Sequence, residues 1–148
     1  MSNALYDKGR NKFARGEILW KATGGSTIKA FLVDAASYTA DLLNHEFLSD
    51  VPSAARKGNS GGNTRADAPQ LTLLDPAAGV CDANDIVFTA VPTGAALEYL
   101  LIFRDDGVAD ASSPLIALLD AATGLPVTPN GADINVAWDA GANKIFKL

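Results

Sequence analysis

Between residues 70 and 148 short apolar runs alternate with segments of turn chemistry, and this cadence constrains the fold more than any other feature of the chain. The connections are Asp75-Pro76-Ala77-Ala78-Gly79, Pro92-Thr93-Gly94, Asp105-Asp106-Gly107, Gly124-Leu125-Pro126, Pro129-Asn130-Gly131 and Ala140-Gly141-Ala142-Asn143. Each concentrates Gly, Pro, Asn or Asp, which tolerate or impose the backbone angles of a reversal. Strands are therefore predicted at 70–74, 85–91, 97–104, 115–120, 133–138 and 144–148. In 133–139 apolar and polar residues alternate, which points Ile134, Val136 and Trp138 to a core and Asp133, Asn135 and Asp139 to water. By contrast 97–103 and 115–119 are apolar on both faces, as in central strands that are covered on each side.

Upstream the period differs. Ser2 or Asn3 is placed to cap a helix over 4–15, with Leu5 and Phe13 on one stripe, Tyr6 beside them, and Gly16 as a left-handed stop. Gly9 inside it costs about 1 kcal/mol relative to alanine. Residues 18–22 and 27–33 flank Thr23-Gly24-Gly25-Ser26 and read as a hairpin. Tyr38, Leu42, Leu43 and Phe47 fall at near-helical spacing and stop before Val51-Pro52, giving one or two helical turns within 37–50. Residues 54–68 lack apolar periodicity and are rich in Gly and Asn, as in a long, mobile excursion that is either an arm ordering against a neighbouring subunit or a plain flexible β-loop. The predicted fold is mainly β: an antiparallel β-sandwich or small barrel with an N-terminal α-helix and a long Gly-rich loop. One domain is expected over 1–148, with 1–16 as helix or arm and 54–68 as the extended loop.

Composition supports assembly more than turnover. The chain has 148 residues, 48% apolar and only 20% charged, so part of its surface is expected to be covered by neighbours. No apolar run is long enough to cross a membrane, and no signal peptide is read at the start. The single cysteine, Cys81, fits a reducing cytoplasm and a small buried or half-buried thiol. Charge is unevenly placed. Residues 1–33 carry Lys8, Arg10, Lys12, Arg15, Lys21 and Lys29 against Asp7 and Glu17, whereas 66–140 carry eleven acids against Arg104 alone. The basic end is either a solvated helix face or a segment suited to an acidic neighbour.

The residues for most catalytic schemes are missing. His45 is the one histidine, no G-x-S-x-G elbow occurs, and one Cys with one His cannot complete a zinc site. Neither Gly24-Gly25-Ser26 nor 58–62 matches a phosphate-loop pattern, and the acidic body disfavours nucleic acid. Asp105, Asp106 and Asp110 around Gly107 resemble an oxygen-rich calcium turn but lack the EF-hand spacing and its terminal Glu, so an acidic hairpin turn is the reading. Asp82 and Asp85 around Asn84 read as turn and strand-edge chemistry. No catalytic residue, cofactor, metal, nucleic acid or membrane partner is expected.

Three stretches carry a resemblance: Asn3-Ala4-Leu5-Tyr6-Asp7-Lys8-Gly9-Arg10, His45-Glu46-Phe47-Leu48-Ser49-Asp50-Val51-Pro52, and 120–131 running into 138–148. Over nearly its whole length the chain resembles a family of small structural proteins of tailed bacteriophages. That resemblance implies a virion component made in the host cytoplasm, foremost a head decoration or cement protein. Its partners would be the major capsid protein and further copies of itself; trimers are common among such proteins, though no motif here selects three over two. The contact residues expected on this basis are Tyr6, Arg10 and Phe13 of the helix, Arg56, Lys57 and Arg65 of the arm, and Phe146 and Leu148. A tail, collar or baseplate subunit has the same composition. A carbohydrate-binding attachment module would instead need exposed platforms from Trp20, Trp138, Tyr6, Tyr38 and Tyr99.

Overall fold

A computed structural model of the chain describes residues 3–148. Its ten strands are β1 (Ala4–Leu5), β2 (Ile28–Val33), β3 (Arg56–Lys57), β4 (Asp75–Ala77), β5 (Val80–Asp82), β6 (Ile86–Phe88), β7 (Tyr99–Arg104), β8 (Leu115–Leu119), β9 (Ile134–Val136) and β10 (Phe146–Lys147). One helix, α1 (Asp7–Ala14), follows β1. The strands form antiparallel sheets ordered β1-β8-β7-β2-β3, β10-β5-β4 and β6-β9, and no barrel closes. The mainly β, sandwich-like expectation holds.

The five-stranded sheet is buried on both faces, and two sets of side chains explain why. Ile28, Ala30, Leu32, Leu100, Ile102, Ala117 and Leu119 face one core, shared with the two smaller sheets through Cys81, Ile86, Phe88, Ile134, Val136, Trp138 and Phe146. Phe31, Val33, Leu101, Phe103 and Leu118 face the other, closed by Tyr6, Tyr38, Leu48, Val51, Ala55 and Ala68. Strands that read as apolar on both sides are thus the central ones. Irregular chain between residues 38 and 55 supplies much of the second cover. Within 37–50 the near-helical spacing yields only a single 3₁₀ turn, Leu48–Asp50, while backbone groups of the segment bond outward, as in Leu115 N–H of β8 to Glu46 O.

Several local expectations shift. Ser2 lies outside the described residues. Asn3 does not cap α1: its side chain accepts from the N–H groups of Asp120 and Ala121, and Ala4–Leu5 pairs with β8 as a strand. Residues 18–22 form no strand, since β2 takes its partners from β7 and β3 instead. The 70–74 strand reduces to an isolated Lys29–Gln70 bridge, whereas the expected turn Asp75-Pro76-Ala77 is itself β4. Its hairpin to β5 closes on two residues only, Ala78 (φ 54°) and Gly79 (φ 80°), the positive pair of a type I′ turn.

Gly9 explains how α1 reaches the sheet. A Cβ at that position would lie 2.4 Å from the Leu115 carbonyl oxygen and 3.2 Å from Ile116 Cα. Substituting alanine for glycine inside a helix usually stabilises by roughly 0.5–1 kcal/mol. Here we expect Gly9→Ala to destabilise by about 1–3 kcal/mol in urea unfolding, because both clashing atoms are backbone. A stabilised variant would show that the helix can lift off β8.

Candidate functional site

The 54–68 segment, expected to reach outward, is folded onto the body. Arg56 and Lys57 pair as β3 with Val33 and Leu32. The Gly58 N–H donates to Gly62 O, Asn59 N–H to Asp67 O, and Ser60 N–H to Thr89 O. Gly58 and Gly62 sit where a Cβ would strike Asp67, which is why small residues recur there. The glycines that suggested an open loop serve close packing.

The bases of this segment are engaged inside the chain. Arg56 is buried, with Nε donating to Val51 O at 3.1 Å, Nη1 to Asp110 Oδ2 at 2.8 Å, and the guanidinium 5.8 Å from the Phe31 ring centroid. Arg65 Nη1 pairs with Asp105 Oδ1 at 2.6 Å and Nε with Asp110 Oδ1 at 3.1 Å, and Nη2 donates to Val108 O. Lys29 Nζ lies 2.8 Å from Asp105 Oδ2. Three cations on β2 and the 56–65 segment therefore clasp two carboxylates of the 105–113 turn beside a hollow of about 500 Å³. The oxygens that suggested a cation turn are already paired. Among the described residues no group of three or more His, Cys, Asp or Glu is arranged to hold a metal ion.

The clasp shifts its acids. Burial pushes the Asp105 carboxyl up, but hydrogen bonds from Lys29, the Gly107 N–H and Arg65 outweigh it and hold it below the usual range. The Ser112 hydroxyl, the Val108 and Ala109 N–H groups and the Ser113 hydroxyl hold Asp106 well below it too. Because the folded pKa of Asp105 is depressed, its stabilisation is complete above its unfolded pKa of about 4 and is lost as pH falls through the folded value. Asp105→Asn should therefore lower the melting temperature at pH 7 and flatten the acid side of a stability–pH curve; an unchanged acid limb would mean that Asp105 is unpaired in solution.

Of the other expected contact residues, Tyr6 is fully buried and unavailable to a partner. Its hydroxyl is 2.9 Å from that of Tyr38, which is 2.9 Å from His45 Nδ1. Asp41 N–H donates to the same Nδ1, so the half-buried His45 accepts a hydrogen bond from within the chain. Lys57 lines a separate hollow with Asp34, Pro92 and Pro129. Arg10, Phe13 and Leu148 do meet: with Ala14 they line a mainly apolar hollow of about 470 Å³ between α1 and the last strand. Phe146 is buried and packs edge-on against Phe13, with ring centroids 6.0 Å apart. Leu148 is 54% exposed and its N–H is bonded to Gly79 O, which anchors its backbone and leaves an apolar side chain in water. The Asp105 and Asp110 partners of the loop bases escaped sequence reasoning, since ion pairs across 40 to 54 residues leave no local signal.

Comparison with protein-family models and with curated proteins returns no match to this chain.

Proposed function

We propose that this chain is a non-catalytic structural protein of a tailed-phage virion, foremost a decoration or cement protein that binds the assembled head. The observation that supports it best is the hollow of Arg10, Phe13, Ala14 and Leu148. It offers an apolar surface with one base, Arg10, at its edge, a form suited to docking on a larger acidic neighbour. Binding only the assembled shell stabilises that shell by mass action. A tail or baseplate location calls for the same surface and differs in where labelled copies sit. The glycan-binding reading loses its platforms, because Trp20, Trp138, Tyr6 and Tyr38 are buried and Tyr99 is half-buried.

The test is to mix purified protein with capsids lacking it and to read occupancy and the threshold for shell disruption. Arg10→Glu combined with Leu148→Asp changes two exposed residues and should leave the fold intact while lowering occupancy at least tenfold, about 1.4 kcal/mol or more. Deleting 56–65 would be a poor probe, since it removes buried Arg56. Wild-type protein that fails to bind heads rules out the cement role, and unchanged occupancy of the double variant rules out this surface.

A further inference from the structure

Arg104 is the one base among the eleven acids of residues 66–140, yet it is paired with none of them. It ends β7, and its guanidinium makes no hydrogen bond or ion pair among the described residues; its Nε is buried without a partner. A buried donor without a partner is unusual in a folded chain, and with no carboxylate engaging the group its outer guanidinium nitrogens are left for a partner from outside the chain. The neighbouring Asp105 is committed to Lys29 and Arg65.

Arg104 lines a polar hollow of about 470 Å³ with Gly16, Glu17, Leu19, Gly24, Gly25 and Ser26. The turn that walls it is rich in free donors. Ser26 N–H bonds Leu19 O and Ser26 Oγ accepts from Leu19 N–H, which pins the two ends of the turn. The N–H groups of Thr23, Gly24 and Gly25 between them make no hydrogen bond among the described residues. Gly24 is left-handed at φ 68° with open space where a side chain would stand. Successive unpaired N–H groups around a left-handed residue form a concave anion cradle. Glu17, the carboxylate in the hollow, is held by Lys12 at 3.1 Å and Arg15 at 3.9 Å, not by Arg104.

We propose that Arg104 and the Thr23–Gly25 turn form a binding site for a small oxyanion, a phosphate or a carboxylate. The planar guanidinium supplies the charge and a fork of donors, and the turn supplies neutral ones. Nucleotides are not the expected ligand, as the loop lacks the lysine and helix of a phosphate loop.

The probes are inorganic phosphate and acetate, titrated against chloride at matched ionic strength, with ¹H–¹⁵N spectra of the full chain as readout. Saturable shifts at Thr23, Gly24, Gly25 and Arg104 Nε are expected. Stronger phosphate binding identifies a tetrahedral oxyanion, and stronger acetate binding a carboxylate of the kind a neighbouring protein surface carries. Arg104→Gln should weaken binding roughly 10- to 100-fold, the worth of a charged hydrogen bond. Arg104→Lys keeps the charge and the stem but loses the fork, and should weaken it less. Glu17→Gln removes the competing carboxylate and should tighten it. Shifts that follow ionic strength alone, or an Arg104→Gln variant that binds as tightly as the wild type, would overturn the site.

Discussion

Trp20→Ala is expected to remove about 3–5 kcal/mol of stability, a large share of the roughly 5–15 kcal/mol that holds a domain of this size. The reason lies in the segment after α1, which has no strand ladder. Trp20 is 5% exposed, lies edge-on to Phe146 at 5.1 Å and donates its indole N–H to Asp82 O at 2.9 Å. One side chain thus ties residues 18–26 to both β5 and β10. Trp20→Phe keeps most of the packing and leaves the Asp82 carbonyl without its donor, so its cost should be nearer 1–3 kcal/mol. Urea denaturation of the two variants checks the split; equal losses would mean that packing alone anchors the segment.

Arg56→Ala is the second large effect, expected at about 3 kcal/mol. The substitution strands Asp110, partly compensated by Arg65, and frees the carbonyls of Val51 and Asn63. Asp110 is 38% exposed, which places the cost at the low end for a buried pair. The clasp also predicts coupling. Arg56→Ala and Asp110→Ala together should cost less than the sum of the two alone, and strict additivity in a double-mutant cycle would show that the charges act independently.

How much of this was legible in the sequence depended on whether a side chain's role is set by its neighbours in the chain. Ile134, Val136 and Trp138 are buried and Asp133, Asn135 and Asp139 exposed, because strand alternation is a local geometry. The two-sided apolarity of β7 and β8 was equally readable, as was Gly16, left-handed at φ 73° just past the helix. What failed was partnership at a distance. Residues 18–22 read as a strand, but β2 found its partner in β7. Arg56 and Arg65 sit in a Gly-rich stretch whose packing against Asp67 and whose ion pairs with Asp105 and Asp110 depend on tertiary placement. Of the candidate surface, Arg10, Phe13 and Leu148 were named from the sequence, but their meeting in one hollow was not deducible from it.

The topology has a consequence for when that hollow comes into being. Ala4 pairs with Leu118 and Phe31 with Leu101, so the central sheet cannot close until most of the chain has been made. Such non-local pairing puts folding on the scale of roughly milliseconds to seconds. The hollow is lined by residues 10–14 and by Leu148, so it exists only once the last strand has docked beside the first helix. On the proposed decoration role, a copy still in the process of folding would present no complementary face and would not occupy a lattice position. Recruitment would thus be gated by maturation, with each unfinished copy excluded by its own incompleteness.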